Sequence, residues 1–128
     1  MSVFLIAQIN IHDRSRYAEY EKGFMDILSR HGGRLVVVDE APRLLEGSWD
    51  YTRTVVLAFQ SEDDAQTWYY SDEYQQLMQH RLAASDGNIV MVKALEGISN
   101  LNLIGRYAGR KWLQNEVLID VFEQITRM

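Results

Sequence analysis

The sequence predicts an α+β domain: a four-stranded antiparallel sheet threaded β-α-β-β-α-β, with its helices on one face. Three observations carry this. Short segments rich in strand-forming residues lie at residues 3–11, 34–38, 54–59 and 89–95. Between them, two longer stretches space their apolar residues three and four apart, the period of a helix. The order makes two βαβ-like halves, the ferredoxin-like arrangement.

The first strand, residues 3–11, places Val3, Leu5, Ala7, Ile9 and Ile11 on one side and Phe4, Ile6, Gln8, Asn10 and His12 on the other. Its first half is apolar on both sides, which predicts a central strand with something packed on each. Asp13 is a helix N-cap. The stripe Tyr17, Tyr20, Phe24, Ile27, Leu28 and His31 follows, and Gly32 and Gly33 stop the helix. The valine-rich second strand comes next. Residues 39–42 read as a turn, 43–47 as a short extended piece and 48–53 as irregular. The third strand, residues 54–59, is again apolar on both sides.

Ser61, followed by Glu62, Asp63 and Asp64, starts the next helix. Its hydroxyl caps free amides, and the carboxylates sit at the positive end of the helix dipole. Ala65, Trp68 and Tyr69 form its inward face. Ser71 reads as a second cap, after which Tyr74, Leu77, Met78, Arg81 and Leu82 continue the helical spacing. Asp86, Gly87 and Asn88 read as a turn before the fourth strand.

The domain is expected over residues 1–96, with an extension over 97–128. In that extension Val117, Leu118, Val121, Phe122 and Ile125 make an amphipathic helix, expected to pack on its own domain or on a partner subunit. Helices on one face leave the other sheet face bare. Strands that are apolar on both sides then call for a second copy as the lid, a homodimer through the open sheet face.

One pattern in the chain reads EG-x-W, then R-x-VVL-x-F-x-S-x-D-x-A-x-x-WY-x-S-x-EYQ, then R-x-x-A. It comprises Glu46, Gly47, Trp49, Arg53, Val55, Val56, Leu57, Phe59, Ser61, Asp63, Ala65, Trp68, Tyr69, Ser71, Glu73, Tyr74, Gln75, Arg81 and Ala84. With Tyr20 and the upstream His31-Gly32-Gly33, it resembles the DUF1330 family of the dimeric α+β barrel superfamily over residues 3–96. The resemblance implies the fold and dimerisation and names no chemistry. The chain departs from the family in Gln60, where a proline is usual after the strand phenylalanine. It also departs in the region after Gly97.

Composition narrows the function classes. The chain has 128 residues and a formal net charge of -5. That disfavours non-specific binding to nucleic acid or to an anionic membrane surface. With no cysteine there is no disulfide, thiolate metal site or cysteine nucleophile. The opening MSVFLIAQINIH has no basic segment ahead of its apolar run, and no run approaches the roughly 18 apolar residues that cross a bilayer. The expected location is cytoplasmic. His12, His31 and His80 are the only histidines, none at metal-ligand spacing from another, so neither metal nor cofactor is expected. His31, beside the glycines, reads as a helix cap.

The candidate site residues lie on the rims of the third strand and the helices after it. Arg81 can hold a ligand carboxylate or pair with Glu46 or Asp50. Trp49 and Asp50 occupy a loop at the sheet rim. Tyr69 and Tyr74 can turn hydroxyls into a cavity, and Asn10 ends the first strand. Any proton transfer is assigned to His80 or Asp50. The leading expectation is a homodimeric barrel protein with a pocket for a small aromatic acid. One alternative is an enzyme of the superfamily: a cofactor-independent oxygenase, a haem-degrading enzyme or a small isomerase. Its haem form requires Asn10, Trp68 and His80 to line one cavity. The other alternative is a non-catalytic assembly protein that docks through the terminal helix.

Overall fold

The computed structural model describes residues 2–95. The elements are β1 (Val3–Ile11), α1 (Arg14–Arg30), β2 (Arg34–Asp39), β3 (Arg53–Phe59), α2 (Glu62–Tyr69), α3 (Asp72–Ala84) and β4 (Ser85–Lys93). They form one antiparallel sheet in the order β2-β3-β1-β4, with β1 bonded to both β3 and β4. This is the α+β arrangement expected. The extension over residues 97–128 lies outside the described residues.

Side-chain alternation sets two different faces on the sheet. Val3, Leu5, Ala7 and Ile9 of β1 are buried, as are Leu57 and Phe59 of β3. They pack with Tyr17, Tyr20, Ile27 and Leu28 of α1 and with Trp68, Tyr74 and Met78 of the later helices. The opposite face carries Phe4, Ile6, Gln8 and Asn10 of β1, whose cross-strand partners in β4 are Val92, Val90, Asn88 and Asp86. No described element covers that face, and Val90 is 51% exposed.

Helix starts follow the cap chemistry. The Asp13 carboxylate accepts from the Arg16 amide at 3.0 Å. The Ser61 hydroxyl accepts from the Asp64 amide at 3.0 Å. The Ser71 hydroxyl donates to the Trp68 carbonyl at 2.8 Å and accepts from the Tyr74 amide at 3.2 Å. It thus closes α2 and opens α3 in one step, which brings Trp68 and Tyr74 together with ring centroids 4.1 Å apart. At the end of α1, Gly32 takes φ 77°, the left-handed conformation that glycine adopts without strain. There the His31 ring nitrogen Nδ1 lies 2.9 Å from the Ile27 carbonyl.

One expectation fails. Asp86, Gly87 and Asn88 are not a turn but the first half of β4, paired with Asn10, Ile9 and Gln8. Glycine is required there for a different reason. A Cβ on Gly87 would lie 2.3 Å from the Gln8 carbonyl oxygen, so it is the close approach of two strands that needs a bare backbone. The chain passes directly from α3 into β4, and Ser85 holds the join by donating to the Arg81 carbonyl at 2.6 Å.

Candidate functional site

A cavity of about 200 Å³ lies between the covered sheet face and the helices. Leu5, Ala7 and Ile9 of β1 and Val55 and Leu57 of β3 form its floor. Its roof and walls are aromatic: Tyr17, Tyr20 and Phe24 from α1, Trp68 and Tyr69 from α2, and Tyr74 from α3. The rings touch in series. Tyr20 stacks on Phe24 at 5.4 Å, Phe24 meets Trp68 edge-on at 6.2 Å, and Trp68 lies over Tyr74.

Two arginines bring charge to this box. Arg53, the first residue of β3, sits over the Tyr17 ring at 5.1 Å. Thr52 beside it is tied to β1, its amide donating to the Ile9 carbonyl at 2.9 Å and its hydroxyl accepting from the Ile11 amide at 2.8 Å. Carboxylates surround Arg53: it bonds Glu40, and Glu21 lies 3.5 Å away. Arg14 also bonds Glu40, at 3.0 Å. These arginines hold the Glu40 carboxyl below the usual glutamate value, the hydrogen bonds from Arg53 and then Arg14 being the largest causes.

Arg81 is different. Its side chain is only 8% exposed, and its guanidinium lies over the Tyr20 ring at 5.8 Å. Among the described residues it makes no ion pair with a carboxylate. Its Nε is buried and has no hydrogen-bond partner among the described residues. The groups that act on it are the hydroxyls of Tyr74, Tyr20 and Tyr69. Burial works to lower its pKa and the neighbouring tyrosines, Tyr74 first, work to raise it; the net direction is upward, and the group stays charged. The Tyr20 and Tyr74 hydroxyls are 2.7 Å apart. Burial raises the pKa of both, Tyr20 well above the ordinary value, and raises that of Tyr17 as well. At neutral pH the box therefore holds neutral phenols around a fixed cation. A second donor is unserved among the described residues: Trp68 is 2% exposed and its indole Nε1 has no partner there.

The structure thus gathers Arg81, Tyr69 and Tyr74 of the expected site residues at one cavity. It places the others elsewhere. Asn10 follows Ile9 on β1 and so projects from the open face. His80 lies one residue before Arg81, about 100° round the helix, where its Nδ1 accepts from Arg16 Nε at 2.9 Å. Trp49 packs edge-on against Tyr51 at 5.3 Å, and the Tyr51 hydroxyl accepts from Asn88. Asp50 is an exposed loop residue. Neither Trp49 nor Asp50 lines the cavity. Arg81 pairs with neither Glu46 nor Asp50. Asn10, Trp68 and His80 do not line one cavity, so the requirement for the haem form is not met. Tyr17, Tyr20 and Arg53 are cavity residues that sequence reasoning assigned only to the helical stripe, to the family pattern or to the irregular segment 48–53. Among the described residues no group of three or more His, Asp or Glu side chains could hold a metal ion. No described helix is long and apolar enough to cross a membrane.

Comparison with known proteins agrees on the fold. An RPA0582 protein of unknown function from Rhodopseudomonas palustris aligns with TM-score 0.65 and 18% identity, over 74% of this chain and 83% of that one. A dimeric ferredoxin-like protein of unknown function from a Jannaschia species aligns with TM-score 0.56 and 9% identity, over 73% and 100%. SnoaB, a cofactor-independent oxygenase from Streptomyces nogalater, aligns with TM-score 0.54 and 14% identity, over 77% and 98%. At these identities the likeness concerns the fold alone. No curated protein matches the sequence. Residues 2–95 match the family described as Domain of unknown function (DUF1330), and the chain belongs to that family.

Proposed function

We propose that the chain is a homodimeric small-molecule-binding protein whose cavity takes a small aromatic acid, the carboxylate held by Arg81. The observation that carries this is a buried guanidinium with no carboxylate partner among the described residues. Taking an ion out of water costs several kcal/mol unless a counter-charge and hydrogen bonds offset it. The ring of Tyr20 and the hydroxyl of Tyr74 offset part of that cost. A bidentate carboxylate would supply the rest. The remainder of the cavity fits a ring. A cavity of about 150 Å³ lined by apolar side chains holds benzene, and this one is about 200 Å³.

A binding role is favoured over proton-transfer catalysis. His80 and Asp50, the expected proton carriers, do not line the cavity. Tyr20 and Tyr74, which do line it, are held neutral by burial, so they serve as hydrogen-bond donors rather than bases. The likeness to a cofactor-independent oxygenase concerns the fold and supplies no acid or base here. Isothermal titration with benzoate tests the reading. Saturable binding that Arg81→Met removes is expected, and no heat at millimolar benzoate overturns it.

The dimer is proposed through the open sheet face, where Phe4, Ile6, Val56, Val90 and Val92 gather. An apolar sheet face of this kind needs a cover, and a second copy supplies one of matching twist. Sedimentation should give a dimer at micromolar concentration and a monomer for Val90→Lys. A wild-type monomer at that concentration defeats the proposal.

A further inference from the structure

We propose that the ligand carries a second oxygen acceptor on its ring, received by the indole N–H of Trp68. This rests on the acid-binding reading and adds to it the chemistry of the ligand's other end. Trp68 lines the cavity, is 2% exposed, and its Nε1 has no hydrogen-bond partner among the described residues. An indole N–H can only donate, and so can a guanidinium. The lining therefore holds two donor-only side chains, each with a buried N–H that is unserved among the described residues.

The other polar groups of the lining do not complete them. The Tyr20 and Tyr74 hydroxyls bond to each other. Glu21, the carboxylate on the wall, lies 3.5 Å from Arg53. Among the described residues, acceptors are missing at two points.

Tyr74 touches both side chains. Its ring lies tilted against Trp68 with centroids 4.1 Å apart, and its hydroxyl acts on Arg81. One tyrosine separates the two donors. A single ring that presents a carboxylate to Arg81 can therefore present a second oxygen to Trp68. The class is a monocyclic aromatic acid with a ring-borne carbonyl, rather than a plain aryl or fatty acid.

The test pairs each of the three formylbenzoate isomers with the methylbenzoate of the same substitution, in titration against the full chain and against Trp68→Phe. A methyl group keeps nearly the size and removes the acceptor. One formyl isomer should bind the wild type about tenfold more tightly than its methyl counterpart, the worth of one buried hydrogen bond. Trp68→Phe should erase that difference, formyl and methyl compounds then binding the variant equally, and its far-ultraviolet circular dichroism should match that of the wild type, which shows that the variant folds. In the wild type, the indole N–H resonance of Trp68 should shift downfield with the formyl compound alone. Formyl and methyl compounds that bind equally in every pair overturn the inference and leave the acid-binding reading standing. So does a formyl preference that survives in Trp68→Phe. If benzoate and all six compounds fail to bind, the acid-binding reading falls and this inference with it.

Discussion

Arg53 and Arg81 line the same cavity, and each lies over a tyrosine of α1, yet they solve the problem of a charge beside an apolar box in opposite ways. Arg53 enters at the rim from the start of β3 and meets Glu40 and Glu21 there. Arg81 comes down from α3 into the interior and meets only phenols. A half-exposed ion pair of the first kind is complete and contributes little. A buried cation of the second kind is incomplete, and this is where a ligand gains most. The difference teaches which end of an aromatic cavity selects its occupant: the end where charge is left unbalanced.

The largest effect should come from breaking the unbalanced end. Arg81→Met should weaken benzoate binding about 100-fold, within the range for a hydrogen-bonded buried charge. The same variant should not lower stability in urea, because an unpaired buried cation is replaced by an apolar chain of similar length. Arg53→Met is the control. It leaves Glu40 with Arg14 and Glu21 at the surface, where water serves it, so benzoate affinity should change less than threefold. If the two variants weaken binding equally, the contrast between the ends is lost.

The next effect concerns the phenols. Tyr74→Phe leaves the Tyr20 hydroxyl without its partner at 2.7 Å. A buried polar group stripped of its partner costs about 1–3 kcal/mol. The urea midpoint of Tyr74→Phe should fall accordingly, and that of Tyr20→Phe should fall as well. The double variant Tyr20→Phe with Tyr74→Phe should be less destabilised than the sum of the two, since neither hydroxyl is then stranded. Additive losses would mean that the two hydroxyls are not coupled.

How far the sequence reveals this division depends on the element. Helical spacing alone puts Arg81 with Tyr74 and Met78 on one face and turns His80 away, so half of the site assignment follows from periodicity. Strand parity likewise separates Asn10 from Ile9. Parity cannot say which sheet face the helices cover, because β1 and β3 are apolar on both sides. That is why Asn10 was a reasonable site candidate and is on the wrong face. Tyr17 and Tyr20 were visible as a stripe, but a stripe of aromatics has the same pattern whether it closes a core or leaves a gap in one. Gly87 misleads for a related reason: Asp-Gly-Asn is turn chemistry, and only the neighbouring strand reveals that the glycine makes room for Gln8.

The smallest effect sharpens the comparison from the balanced side. Hydrogen bonds from Arg53 and Arg14 lower the pKa of Glu40 from the ordinary 4.5. A carboxyl lowered by folding stabilises the fold fully above its unfolded pKa, and that contribution is lost as pH falls through its folded pKa. The pairing should therefore be intact at neutral pH, begin to lose its contribution as the pH drops below 4.5, and be gone once the folded value is passed. Because Glu40 is exposed, the change should be small and should shrink further in high salt. The measurement is the urea midpoint of the wild type and of Glu40→Gln across that acid range. The difference between them should narrow toward low pH. Arg81→Met should show no matching change relative to the wild type, because among the described residues no carboxylate faces Arg81 to be protonated. An acid-dependent difference in Arg81→Met of the same size would place a carboxylate at the interior end and remove the asymmetry on which the acid-binding reading rests.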